Sequence, residues 1–158
     1  YGAIKSLAKY GVDIVNVHAS GGIEMMKRAK DALVDANSQA KLIAVTQLTS
    51  TDQRTMNEEL GIVGTVENAV LRLASNAKVA GLDGIVCSPL EVPSIKTNLS
   101  KNFITVCPGI RLAGNSTDDQ KRIMTPEQAF NNGADYIVMG RAITEATEPQ
   151  MIFNKICS

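Results

Sequence analysis

With 158 residues, 44% of them apolar and 20% charged, the chain has the length and composition of one ordinary globular domain with a sizeable core. Sixteen basic side chains balance sixteen acidic ones without clustering, which argues against a nucleic-acid footprint or a polybasic membrane patch. No apolar run approaches the roughly 20 residues needed to span a bilayer, and the segment opening at Tyr1 has the pattern of a helix rather than a signal peptide.

In chain order, that leading helix gives way to "YGVDIVNV" (10–17), and the same local pattern returns in "AGLDGIVC" (80–87) and "NGADYIVM" (132–139). Each copy has a glycine, one residue, an aspartate, then a β-branched apolar run. Glycine takes the left-handed conformation that commonly follows a helix end. A continuous apolar run suits a strand covered on both faces. Each copy therefore predicts helix, stop, buried strand. After the first copy, Ile23, Met26, Lys30 and Leu33 share helical spacing, with Lys30 at the margin of the buried face. "LIAVTQL" (42–48) predicts a second strand. Thr65 is placed to cap a helix whose apolar face is Val66, Ala69, Val70, Leu73 and Ala77.

"FITV" (103–106) predicts a strand after the second copy. A polar stretch from Pro108 to Met124 follows it, far longer than the usual 2–6 residue connection of about that class. "TPEQ" (125–128) then combines a Thr cap, Pro at the first helical position and Gln at the capping-box position. Met151, Ile152 and Ile156, after Pro149, predict a closing helix. The sum is a leading helix and five strand–helix units with parallel strands. Two architectures accommodate it: an open doubly wound sheet, or most of a (β/α)₈ barrel. The barrel takes about 250 residues, and at least about 200, so this chain is three strands short of one.

In either architecture ligands bind at the carboxyl ends of the strands. His18 and "ASGG" (19–22) follow the first strand; the histidine suits a hydrogen-bonded structural role better than a ligand, and the glycines suit a tight turn. Thr49 and Ser50 follow the second and could equally contact a substrate or cap a helix. Ser88 and Pro89 follow the third. Arg111 and Gln120 lie on the long stretch after the fourth, with Asp118 and Asp119 as a solvated acidic pair. Gly140 and Arg141 follow the fifth. Glycine beside arginine at a strand end suits a phosphate: the backbone approaches closely and the guanidinium fork matches the oxygens. A polar segment beside such an anion site suits a lid. No pair of carboxylates at strand ends stands out as a general acid and base. Cys87, Cys107 and Cys157 have no metal-ligand spacing, and the first two suit buried reduced thiols. With one histidine, a zinc site has little support.

The stretches "VNVHASGG" (15–22), "LIAVTQLTS" (42–50), "GLDGIVCS" (81–88), "PGIR" (108–111), "DDQKRIMTPEQA" (118–129) and "GADYIVMGRAIT" (133–144) together resemble the bacterial orotidine 5′-phosphate decarboxylase family in order and approximate spacing. The resemblance implies an α/β fold, a (β/α)₈ TIM barrel of which residues 1–158 form a single domain carrying strands 4–8. It implies conversion of orotidine 5′-phosphate to UMP and carbon dioxide in de novo pyrimidine synthesis, by a cytoplasmic homodimer without metal or organic cofactor, and without nucleic-acid or membrane partners. It implies that Thr49 contacts the pyrimidine edge, that Arg111 and Gln120 contact substrate from the loop, and that Gly140 and Arg141 grip the phosphate.

The chain departs from the family at Cys107, where threonine commonly precedes Pro-Gly. It also contains no D-x-K-x-x-D run, the family's catalytic motif. The resemblance places that lysine and its aspartates upstream of Tyr1, so this chain alone is expected to be inactive. With two open sheet edges, it is also expected to be marginally stable or poorly soluble by itself. Two other readings compete. One is a related phosphosugar barrel such as a hexulose-phosphate synthase or ketogulonate-phosphate decarboxylase, which does not share "QLTS" with "DDQKRI". The other is a non-catalytic module that binds a nucleotide phosphate.

Overall fold

The structure, a computed structural model, describes residues 1–112 and 124–157. A short helix α1 (Gly2–Ala8) precedes β1 (Ile14–His18), α2 (Gly22–Asp35), β2 (Lys41–Val45), α3 (Val66–Val79), β3 (Gly84–Val86), α4 (Val92–Asn98), β4 (Ile104–Cys107), α5 (Pro126–Asn131), β5 (Tyr136–Ile137), α6 (Arg141–Thr144) and α7 (Pro149–Cys157). The predicted strand from Leu42 to Leu48 ends earlier, at Val45, and a π-helical turn at Thr55–Glu59 precedes α3. Neither the π-turn nor the short α4 and α6 has an apolar period long enough to read from sequence.

Local signals act as their residue types dictate. Thr65 Oγ accepts the Asn68 N–H and starts α3. Thr125 and Gln128 exchange both bonds of a capping box at α5. The glycine stop works by one geometry in the later two copies. The Gly81 N–H donates to the Lys78 carbonyl and the Leu82 N–H to that of Ala77; Gly133 and Ala134 repeat this with Phe130 and Ala129. Such a closure needs positive φ, here 81° and 91°.

All five strands are parallel, and each pairs with its neighbour in chain order, β1-β2-β3-β4-β5. A doubly wound sheet reverses its strand order at a switch point; this sheet does not. Strand parity separates its faces. Val15, Leu42, Ala44, Ile85, Cys87 and Cys107 join one core with Met26, Leu33, Val70, Ala74, Ile95 and Ala129 from the helices. The alternate positions, Ile14, Asn16, His18, Ile43, Val45, Val86, Val106 and Tyr136, face the other way by register. Helices on one face and sequential parallel strands make this an arc of a (β/α)₈ barrel. The inner face is open at both edges: Ile14, Tyr136 and Val138 are exposed there.

Two ion pairs pin helices to strand feet. Lys30 Nζ lies 2.8 Å from Asp83 Oδ2, and Lys96 Nζ lies 2.6 Å from Asp135 Oδ2, so the marginal position of Lys30 has a purpose. Burial pushes both carboxyls up, but the lysine and the neighbouring N–H bonds outweigh it and hold each below the usual value. A carboxyl depressed in the folded state stabilises above its unfolded value and ceases to as pH falls through the folded one. The urea midpoint is therefore expected to hold down to about pH 4, near the unfolded aspartate value, and to drop below it. Replacing both aspartates with asparagine should flatten that acid limb in a pH series of urea titrations.

Candidate functional site

Polar side chains collect at the carboxyl edge of the sheet. The chain leaving β2 buries Gln47, Thr49 and Thr51, and Thr49 is only 5% exposed. A cavity of about 300 Å³ opens there, lined by Val45, Gln47, Thr49, Ser50, Val86 and Pro108, so it spans the ends of β2, β3 and β4. Asp52 Oδ1 accepts the Thr55 N–H at 2.8 Å. Thr49 lines the recess.

Past β4, Ile110 pairs with Met124 and the Arg111 N–H donates to the Met124 carbonyl at 3.0 Å. The two ends of the long polar stretch are thus held side by side. Gln120, with Asp118 and Asp119, falls within residues 113–123, outside the described residues, as does the body of the expected lid. Arg111, expected to contact substrate from the loop, is 8% exposed, and Nη1 donates to the Ile110 carbonyl at 2.9 Å. Among the described residues no carboxylate meets this guanidinium. A buried cation with five donors, one of whose bonds among the described residues goes to a carbonyl, is costly unless an anion joins it.

At the next strand end, Gly140 caps α6 and its carbonyl accepts the N–H groups of Ile143 and Thr144. A Cβ at Gly140 would meet nothing within 4 Å, so the backbone is open to an incoming group. Arg141 is the exposed first residue of α6. Thr49, Arg111, Gly140 and Arg141 therefore share one edge of the sheet, as the order of strand ends requires.

Other candidates resolve differently. His18 ends β1 on the inner face, exposed, and makes no side-chain hydrogen bond among the described residues, so the structural role expected of it is not met. Cys87 and Cys107 are buried thiols outside any disulfide, whereas Cys157 is exposed on α7. Sequence reasoning passed over Glu91. Its side chain is 6% exposed and Oε2 accepts the N–H of the fully buried Ser88 at 2.7 Å, which closes the turn after β3. The signal was present: "SPLE" (88–91) places a glutamate three residues after serine just before an apolar helix.

The profile of the "Orotidine 5'-phosphate decarboxylase / HUMPS family" matches residues 2–156. An orotidine 5'-phosphate decarboxylase of Staphylococcus saprophyticus is 50% identical over 154 residues, covering 98% of this chain and 67% of the relative. One from Idiomarina loihiensis is 54% identical over 147 residues, 93% of this chain and 63% of the relative. The crystal structure of orotidine 5'-phosphate decarboxylase from Lactobacillus acidophilus superposes with a TM-score of 0.83 at 39% identity, covering 98% of this chain and 66% of that one. The chain spans about two thirds of the length of the relatives it matches.

Proposed function

This chain belongs to the orotidine 5′-phosphate decarboxylase / HUMPS family, and from that premise we propose that it supplies the pyrimidine- and phosphate-binding part of a decarboxylase acting on orotidine 5′-phosphate. The observation that carries the reading is the buried guanidinium of Arg111, which is balanced when a phosphate enters beside it. Arg141 and the open backbone at Gly140 serve the same dianion from the next strand end. Thr49 donates or accepts at the edge of the pyrimidine in the recess under Pro108. Gln120 reaches the substrate from the stretch whose two ends Ile110 and Met124 hold together.

The reaction releases carbon dioxide from the pyrimidine ring and leaves UMP, with no cofactor. Contacts to the non-reacting phosphate lower the barrier remotely, because binding energy gained there drives closure around the reacting carbon. The chain contains no D-x-K-x-x-D run, so we assign proton delivery to residues outside it. A homodimer is supported by exposed Leu48, Leu60 and Val63 on the segment joining β2 to α3. A cytoplasmic site suits the reduced, buried Cys87 and Cys107.

Titrating the chain with UMP, and following orotidine 5′-phosphate absorbance with and without the remaining third of the Staphylococcus saprophyticus relative, tests this. Binding by the chain alone and turnover only in the mixture are expected. Arg141→Ala should lower UMP affinity by about 1.5–3 kcal/mol, the worth of a hydrogen bond to a charged group. Affinity unchanged in Arg141→Ala would remove that residue from the site. UMP binding without turnover in the mixture would favour a binding module. Preference for a hexulose phosphate over UMP would favour the phosphosugar enzymes.

A further inference from the structure

The turn that ends β3 is held by side chains from within and from outside. Glu91 Oε2 accepts the Ser88 N–H at 2.7 Å, and Ser88 Oγ accepts the Leu90 N–H at 3.3 Å. The Glu91 N–H donates to the Ser88 carbonyl at 3.0 Å. Ser88, Pro89 and Glu91 are all buried. The Pro89 carbonyl is met from another strand–helix unit: Asn132 Nδ2 donates to it at 3.0 Å from the carboxyl end of α5. A carbonyl drawn away from water without a donor costs free energy, so this long-range bond has a reason to form.

The same amide reaches a second target. Asn132 Nδ2 lies 3.4 Å from Met124 Sδ, a weak acceptor. Met124 ends the long polar stretch; its carbonyl accepts the Arg111 N–H at 3.0 Å, and it pairs with Ile110. The end of α5 fixes where the amide stands. The Asn132 N–H donates to the Gln128 carbonyl at 3.0 Å, and Gly133 follows at φ 91° beside Val92 of α4, whose Cγ1 lies 3.8 Å from where a Cβ would be. An asparagine at a helix end often serves as the left-handed residue, but Asn132 is right-handed at φ −76° and the positive φ falls to Gly133. Its carboxamide therefore reaches a neighbouring unit instead of terminating its own helix.

We infer that Asn132 is a positioning residue for the anion site: by tying Met124 to the bonded turn after β3, it fixes the backbone from which Arg111 presents its guanidinium. The inference rests on the phosphate role proposed for Arg111, and Asn132 itself touches no substrate. A guanidinium fork matches phosphate oxygens by geometry as well as charge, so its value depends on where its backbone is held. That backbone is set by Met124, and Met124 is set by Asn132. Holding Arg111 in place before the anion arrives removes an ordering cost that would otherwise fall at binding.

The test reads one effect without ligand and one with it. In Asn132→Ala, amide hydrogen exchange at Arg111 is expected to quicken. The Leu42 amide, held by Asp83 at 2.8 Å, should keep its wild-type protection and so show that the fold stands. UMP should bind roughly fivefold more weakly, the worth of about one ordinary hydrogen bond. In the Arg111→Met background the same change should cost UMP nothing further. Asn98→Ala, which removes an amide bonded within α4, should alter none of these. Unchanged exchange at Arg111, or equal loss of protection at Leu42, would overturn the positioning role whether or not UMP binds. The same UMP loss with Arg111 already replaced would overturn it too. A wild-type chain that binds no UMP would overturn the phosphate reading, and exchange at Arg111 alone would then decide the tie from Asn132 to Met124.

Discussion

Arg111→Met is expected to make the ligand-free chain more stable and its complex with UMP weaker. The guanidinium is 8% exposed, and its side-chain bond goes to the carbonyl of its own neighbour, Ile110. Replacing a buried charge that meets no carboxylate among the described residues with an apolar chain of similar reach removes desolvation that the fold bears when no anion is bound. Substitutions of this kind stabilise by about 1–4 kcal/mol where packing is kept. The same change deletes donors that close on phosphate, a loss of about 1.5–3 kcal/mol or roughly 10- to 100-fold in affinity. Urea midpoints with and without UMP separate the two effects. If the ligand-free midpoint falls, or if UMP stabilises both proteins equally, Arg111 is a structural group and not an anion receptor. Arg111→Lys is the useful companion: it keeps the charge but loses the fork, so it should recover little of the affinity.

Asp135→Ala should be among the most damaging substitutions away from the ligand site, at about 2–4 kcal/mol. Its Oδ2 receives the N–H and the Oγ1 hydroxyl of Thr105, at 2.7 and 2.9 Å, together with Lys96 Nζ. Thr105 is wholly buried, so alanine strands its two donors away from water. Lys96 retains the carbonyls of Phe103 at 2.9 Å and Lys101 at 3.2 Å, which limits the loss on that side. Asp83→Ala should cost less, because its carboxylate takes from the neighbouring strand the backbone N–H of Leu42 and no hydroxyl. Urea unfolding at constant slope orders the two. Asp83→Ala as damaging as Asp135→Ala would mean that the Thr105 hydroxyl contributes nothing.

Much of the site was legible from residue types. Glycine next to arginine at a strand end, and a polar stretch too long for a connection, point in sequence to the carboxyl edge of the sheet where the proposed phosphate site lies. Thr49 is ambiguous in sequence because a threonine after a strand can cap or bind; in the fold it lines the recess at the ends of β2, β3 and β4. The burial of Arg111 was not legible. Sequence places it four residues past Cys107 on a polar segment, and only the pairing of Ile110 with Met124 draws it inward. Glu91 was missed because a carboxylate beside a helix start resembles a solvated cap until its exposure is known.

The chain's own residues determined the elements, because caps, glycine stops and β-branched runs act within a few positions. They also determined the parallel strands, since each is separated from the next by a helix-length segment. Whether those strands formed a barrel arc or a doubly wound sheet was decided only by tertiary structure, because the same connections serve both. The three glycine–x–aspartate copies show the difference most clearly. In sequence they are three equal stops. In the fold Asp83 and Asp135 each hold a buried residue of the preceding strand, while Asp13, on the β1 edge, has no such partner among the described residues, because a hydrogen-bond partner is a property of the neighbouring strand and not of the motif.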